Sequence, residues 1–263
     1  MHACAYDGSV SGVVGLKLTS SKPFYVLLAS NSPLIPGTDV AGEVVEVGSG
    51  VKKFKPGDKV VAILRLIAGG GLSEYGVANE KLTVSRPPEV SAAEGSGLPI
   101  AGLTAHMALT QYAATCGARN IDLVKSLGAD DVLDYKTPDG AALKSPSGRK
   151  YDAVVHCATG VSWSVFEPNL SDKGVVIDLT PGAAAMWTCV VNKVTCSGKR
   201  LAPLMLIPKD DRSLLCLVEL MKERKLKTII DSRHRLGRAE EAWSKCIDGH
   251  ATGKIIVEPL ESN

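Results

Sequence analysis

Two rhythms divide the chain. From residue 40 to 84 apolar residues come in short runs broken by turn signals. Val40–Val47 mixes apolar and acidic residues and stops at Gly48-Ser-Gly50. Lys55-Pro-Gly-Asp58 reads as a turn, because proline presets φ and glycine relieves the bend, and it leads into Lys59–Leu64. After Gly69-Gly-Gly71 come Ser73–Ala78 and Leu82–Val84. Strands at this spacing predict a small barrel. Pro87-Pro88 ends the pattern, and Ser91-Ala-Ala-Glu94 fits a capping box that opens a helix. Leu98–Leu109 is apolar and reads as buried.

From about Thr104 the rhythm becomes strand, helix, strand. Tyr112–Ala118 is a predicted strand and Arg119–Leu127 a helix, with Ile121, Val124 and Leu127 on one face and Gly128 as its left-handed stop. Asp131–Asp134, Asp152–Cys157 and Gly174–Leu179 are further strands. The last two are nearly continuous apolar runs, as parallel strands covered on both faces should be. A helix follows at Ser213–Lys222, then strand Thr228–Ile230, helix Arg238–Cys246 and strand Lys254–Val257. The alternation implies a doubly wound α/β sheet after the barrel.

Composition narrows the function classes. A 45% hydrophobic, 22% charged chain of 263 residues is globular rather than disordered. Its net charge of +2 is too balanced for a nucleic-acid binder, and basic residues interleaved with aromatics are absent. No apolar run reaches the roughly 18 residues of a membrane span. The seven cysteines are widely spaced with no C-x-x-C pair, so free thiols in a reducing compartment are expected and a zinc knuckle is not. Residues 9–38 lack Asp and Glu but also lack Arg, and read as an ordinary N-terminal segment rather than a leader. Lys222–Arg238 holds seven basic and two acidic residues, either a solvated helix end or a patch for an anionic membrane surface.

Several stretches together carry a resemblance: Ile35-Pro-Gly-Thr-Asp-Val-Ala-Gly-Glu-Val-Val-Glu-Val-Gly48, Phe54-Lys-Pro-Gly-Asp-Lys-Val-Val61, Leu98-Pro-Ile-Ala-Gly-Leu-Thr-Ala105, Val124-Lys-Ser-Leu-Gly-Ala-Asp130 and His250-Ala-Thr-Gly-Lys-Ile-Ile-Val257. The chain resembles the medium-chain dehydrogenase/reductase superfamily, in its zinc-free quinone-oxidoreductase branch, over most of residues 35–259. The resemblance implies a GroES-like catalytic domain from residues 1–103 and 228–263, with a Rossmann-like NADPH-binding domain at 104–227. It implies NADPH as hydride donor, and quinones, α,β-unsaturated carbonyls or oxylipin ketols as substrates. Plant members of the branch suggest a chloroplast location, peripheral on the envelope, and a homo-oligomer is compatible. Zinc-dependent cousins carry Gly-His-Glu where this chain has Gly37-Thr-Asp39, so Lewis-acid catalysis is not expected.

The residues also speak for the cofactor. In NAD enzymes an acid just after the second Rossmann strand holds the ribose 2′-hydroxyl. Here that turn is Cys116-Gly117-Ala118-Arg119, and an arginine fork pairs with a 2′-phosphate that an acid would repel. The resemblance adds Lys125 and Tyr135 to the 2′-phosphate and adenosine pocket, and sets Thr104 beside the nicotinamide. Cys157-Ala158 and Thr180-Pro181 end two strands at the carboxyl edge, where such sheets bind ligands. Cys157 reads as a small buried residue rather than a nucleophile, and His106 and His156 as buried or capping residues. Lys254 is either a pyrophosphate contact or a surface lysine.

Two departures limit the resemblance. The family's A-x-x-G-G-V-G turn, which cradles pyrophosphate on a helix N-terminus, is missing, and no G-x-G-x-x-G replaces it. The chain runs from Ala108-Leu-Thr-Gln111 straight to Tyr112-Ala-Ala-Thr-Cys116, where the family places the first strand, the glycine turn and a helix, roughly 40 residues. The expected fold class is therefore α/β: a GroES-like β-barrel plus a Rossmann-type doubly wound parallel sheet without its first strand, glycine turn and first helix. Strand 1 is central in the order 3-2-1-4-5-6, so its loss leaves two outcomes: neighbouring strands close up, or Tyr112–Ala118 moves into the slot. The family's Asn-Pro-x-Asp-Trp stretch is missing too; Tyr25 and Asn31 are the only stand-ins. A shortened, non-catalytic paralogue is thus the rival to an NADPH-dependent oxidoreductase.

Overall fold

The computed structural model describes residues 13–21, 35–64, 70–108, 113–158, 160–204 and 211–259. The chain forms two compact units, Met1–His106 with Ile207–Asn263, and Met107–Leu206. The second unit is shorter than the expected 104–227, because the helix at Arg212–Lys222 groups with the first.

The first unit opens with β1 (Val13–Ser21), β2 (Asp39–Val47), β3 (Lys59–Ile63), β4 (Tyr75–Asn79) and β5 (Thr83–Ser85). β2 and β3 pair antiparallel with Val40 opposite Ala62. Their connection contains the expected turn: the Asp58 carboxylate accepts from the Lys55 amide at 3.0 Å and its ammonium at 2.6 Å, and Gly57 takes φ +91°. Helix α1 (Ala92–Ser96) starts on the capping box, with the Glu94 amide donating to Ser91 Oγ and Glu94 reaching back to the Ser91 amide. Helix α2 (Pro99–Ala108) follows.

The second unit contains β6 (Ala113–Cys116), α3 (Ile121–Ser126), β7 (Asp131–Asp134), α4 (Pro138–Ala141), β8 (Tyr151–His156), α5 (Trp163–Phe166), β9 (Leu170–Asp178), α6 (Ala183–Val194) and β10 (Arg200–Pro203). The chain then returns to the first unit with α7 (Arg212–Lys222), β11 (Ile230–Arg235), α8 (Ala239–Ile247) and β12 (Lys254–Glu258).

The first unit is a seven-stranded sheet in the order β11-β12-β1-β2-β3-β5, with β4 also on β1. Strand β1, which the sequence pattern did not predict, is its centre, antiparallel to β2, β4 and β12. Val40, Val44, Phe54, Val60, Ala62, Leu64 and Ala78 fill the core. Helix α8 covers Ile255 and Val257 through Ala242. Leu217 of α7 lies against Gly102 of α2, where a Cβ would come within 3.1 Å of it.

The second unit's sheet is broken in two. All its pairs are parallel: β7 with β6, and β8 with β9 with β10. In the expected order 3-2-1-4-5-6 these are β7-β6, a gap, then β8-β9-β10, so the break falls where strand 1 belongs. Neither anticipated repair occurs among the described residues, since β6 pairs only with β7 and β8 only with β9. The expectation that the apolar strands are covered on both faces is also corrected: Ala153, Val154 and Val155 of β8 are only half-buried. Leu127, assigned to the inner face of its helix, is 58% exposed.

Candidate functional site

Nine of the eleven residues proposed from sequence to contact a cofactor lie in the second unit, eight at or just past the carboxyl ends of its strands and Lys125 on α3. Cys116 is the last residue of β6, and Gly117 begins the three-residue 3-10 turn that carries Arg119. The Tyr135 amide donates to the Cys116 carbonyl at 3.2 Å, which ties the ends of β6 and β7 together. The Tyr135 ring packs beside Gly117, where a Cβ would make an ordinary contact at 3.5 Å. Tyr135 still exposes half its surface. Arg119 and Lys125 are exposed on the turn and on α3. Lys136, which the sequence reading passed over, holds its ammonium 5.9 Å from the Tyr135 ring centroid. Lys136 thus lies against an exposed aromatic face, while Arg119 and Lys125 are exposed on the preceding turn and helix. Burial, and after it the Asp134 carboxylate, raise the Cys116 thiol, so it is no ready thiolate.

The second cluster ends β8 and β9. Thr180 Oγ1 donates to the Ala158 carbonyl at 2.7 Å, joining the two loops, and the Thr180 amide donates to Asp178 Oδ1 at 3.0 Å. The same oxygen lies 3.2 Å from His156 Nδ1. His156 and Asp178 are both buried, and the His156 ring meets Phe166 edge-on at 5.0 Å between centroids. This pair braces the loop bases, in keeping with a buried rather than a catalytic histidine. Asp178 was missed because its role depends on a partner 22 residues away in the adjacent strand. Pro181 follows, half-buried. Cys157 is exposed, against expectation, yet enough protein crowds its thiol to raise its pKa, which disfavours a nucleophile.

Thr104 and Lys254 belong to the first unit. Thr104 is half-buried on α2, and Lys254 is the first residue of β12. The same unit buries an acid that stands in the sequence as part of the Gly37-Thr-Asp39 motif. Asp39 is 1% exposed; its Oδ1 accepts from Thr38 Oγ1 at 3.1 Å and its Oδ2 from the Ile100 amide at 3.0 Å. Burial is the largest influence on its carboxyl and pushes the pKa up to about 6, against the opposing charge of Lys254. Tyr25, Asn31, the Gln111–Tyr112 junction and the side chain of His106 lie outside the described residues.

The basic stretch Lys222–Arg238 is largely committed to ion pairs, Lys222–Glu219, Lys225–Glu223, Arg233–Glu258 and Arg238–Glu241. That arrangement suits a solvated surface. Among the described residues no helix is long and apolar enough to cross a membrane.

These residues fit part of a dinucleotide. The exposed Arg119, Lys125 and Lys136 of this segment suit a phosphorylated adenosine. The pyrophosphate cradle is not matched: β6 leads through a three-residue turn into a six-residue helix, with no glycine-rich strand-to-helix turn at the break in the sheet.

A GroES-like barrel joined to a Rossmann-type sheet defines the class. The alcohol dehydrogenase GroES-like domain family matches residues 10–88 and the zinc-binding dehydrogenase family residues 127–257. The chain belongs to the medium-chain dehydrogenase/reductase superfamily. It is 59% identical over 276 residues to a chloroplastic quinone oxidoreductase of Triphysaria versicolor, covering 90% of this chain and 83% of the relative. The same figures hold for the chloroplast envelope quinone oxidoreductase homologue of Arabidopsis thaliana. Among solved structures, the quinone oxidoreductase from Coxiella burnetii shares the fold, with a TM-score of 0.80 at 23% identity over 94% of this chain and 90% of that one. Nine-tenths of 263 residues fill the 276 aligned positions, so about 40 positions of each plant relative face no residue here. That is the size of the missing strand, glycine turn and helix.

Proposed function

We propose that this chain is an NADPH-dependent, zinc-independent oxidoreductase acting on quinones or α,β-unsaturated carbonyls, oxylipin ketols among them, in the chloroplast and peripherally at its envelope. The plant relatives and the basic end of β6–β7 support the reading. The observation that carries it is Arg119, exposed on the turn after β6 where NAD enzymes carry an acid, with Lys125 exposed on the next helix and Lys136 against Tyr135. Arg119 and Lys125 hold the 2′-phosphate, Tyr135 and Gly117 the adenosine, with Cys116 packed beneath. Ala158, Cys157, Thr180 and Pro181 give the chain of the cofactor a close, uncharged approach. The family resemblance assigns Thr104 to the nicotinamide and Lys254 to a phosphate. A bound nicotinamide supplies hydride; water or a hydroxyl supplies the proton. The experiment is a fluorescence titration with NADPH and NADH, followed by absorbance of NADPH with a benzoquinone or an enone. NADPH preferred about 10-fold over NADH, with the preference lost in Arg119→Ala, supports the reading. Binding of neither nucleotide sinks it.

One observation favours a second reading. The sheet is broken where pyrophosphate is gripped in complete members, so a non-catalytic shortened paralogue that binds cofactor weakly is the alternative. NADPH binding without any turnover against quinones and enones would support that reading.

A further inference from the structure

In a strand each residue points its N–H and C=O to the same side, and successive residues alternate sides. The Cys116 carbonyl accepts from the Tyr135 amide just past β7, and the His156 carbonyl from the Leu179 amide just past β9. Cys116 and Ala114 therefore face β7, and His156 and Val154 face β9. Ala113 and Thr115 of β6, and Ala153 and Val155 of β8, turn their backbone groups the other way, toward the break in the sheet. Among the described residues neither β6 nor β8 has a strand on that edge, so these groups join no ladder. The Val155 carbonyl has only the weak approach of Cys157 Sγ at 3.9 Å. A row of unpaired N–H and C=O groups is a template for another strand, and proteins blunt such rows with charges or proline. Here neither stands in Ala113–Cys116 or Ala153–Val155. Ala153, Val154 and Val155 are half-buried, so both faces of β8 keep apolar surface that a neighbour would cover.

The sheet order names the occupant. β7-β6 and β8-β9-β10 are parallel pieces of a 3-2-1-4-5-6 sheet, so the strand that joins them is strand 1, parallel to both. About 40 positions of each plant relative face no residue here, the size of strand 1 with its glycine turn and helix. We propose that the free edges of β6 and β8 form a docking slot for one extended, uncharged strand, and that its occupant is the strand–glycine turn–helix segment of such a relative, bound in trans. Alternate residues of the incoming strand pair with Ala113 and Thr115 on one side and with Ala153 and Val155 on the other. Docking of a strand requires no cofactor, so it stands or falls apart from the NADPH reading.

The probe is a synthetic peptide with the roughly 40-residue segment of the Triphysaria versicolor relative, labelled with a fluorophore and titrated with the whole chain in the absence of nucleotide. Anisotropy should saturate with a Kd below about 100 μM, since main-chain pairing must also offset the ordering of the peptide. A peptide of the same composition in scrambled order should not bind. N-methylation of alternate strand residues removes the donors to one edge and leaves the side chains intact. It should weaken binding at least about 10-fold, because each net hydrogen bond contributes about 1 kcal/mol. Amide exchange followed by NMR locates the peptide: Ala113, Thr115, Ala153 and Val155 should slow at least about 10-fold, and more than Ala114, Cys116, Val154 and His156, which are already paired. No saturable binding overturns the proposal, as does equal binding of the scrambled or N-methylated peptide, or protection that spares these amides. Sedimentation of the chain alone tests the other occupant. A dimer in which the same amides are already protected would put a second copy in the slot and overturn the assignment to the relative's segment. NADPH binding plays no part in these readouts, so failure of the proposed function leaves them unchanged.

Discussion

The barrel strands and the two-stranded piece of the second unit are built from similarly apolar sequence, yet end up in different physical states. Val40, Ala41, Val60, Val61 and Ala62 of β2 and β3 are fully buried. From Thr115 to Lys150, through β6, α3, β7 and α4, Gly140 is the only buried residue. The difference lies in neighbours rather than composition. β2 has β1 and β3 on its two edges, whereas among the described residues β6 has β7 alone. A two-stranded sheet is marginal by itself in water, and a strand becomes a core only when both edges and at least one face are covered. The three-stranded piece is intermediate: Phe166, Leu170, Val176 and Leu201 make a small core.

The contrast can be broken most severely by cavity mutations. Ile256→Ala, at a fully buried site in β12, should cost about 2–5 kcal/mol in denaturant unfolding, whereas Val132→Ala in β7 should cost about 1 kcal/mol or less, because its site is already open. Comparable costs at both positions would mean β7 is buried in solution. Phe166→Ala should cost about 3 kcal/mol or more, and by hydrogen exchange it should loosen β8–β10 without altering exchange in β6–β7.

Asp39 gives a pH test within the well-packed unit. Its folded pKa, about 6, lies above the ordinary 3.8, so the fold binds this proton more tightly than the unfolded chain does. Its contribution therefore favours folding most below pH 4 and is lost as pH rises through 6. Asp39→Asn lacks that loss, so the Tm of the variant should gain on the parent by several degrees between pH 4 and 7. A constant difference across that window would show that the carboxyl titrates normally. The smallest effect is expected at the loop brace: Thr180→Val removes the bond to the Ala158 carbonyl and should cost about 1 kcal/mol, seen as faster exchange in the two loops.

Much of this was readable in the residues. The barrel hairpin, the capping box at Ser91, β7, α7 and β12 all follow from local patterns, and the break in the sheet was visible as the absent glycine turn. What escaped depends on distant partners or on inverted patterning. β1 has a weak alternation interrupted by Gly15, and only its three neighbours make it a strand. α6 hides because its outward face is apolar, with Trp187 70% and Val194 77% exposed, while Asn192 is buried. No amphipathic stripe announces such a helix. Leu127 followed the rule and still ended outside, because no described element covers it. Asp39 is tied to an amide 61 residues away, a relation that no local motif encodes.

Without its first strand the sheet stands in two pieces and lacks a pyrophosphate grip. This is tested most directly by inserting the roughly 40-residue segment of the Triphysaria versicolor relative between Gln111 and Tyr112 and measuring NADPH affinity before and after. Binding should be at least about 100-fold tighter in the restored chain, roughly 2.7 kcal/mol of phosphate contacts, with slowed amide exchange along β6 and β8. Equal affinity and unchanged exchange would contradict it.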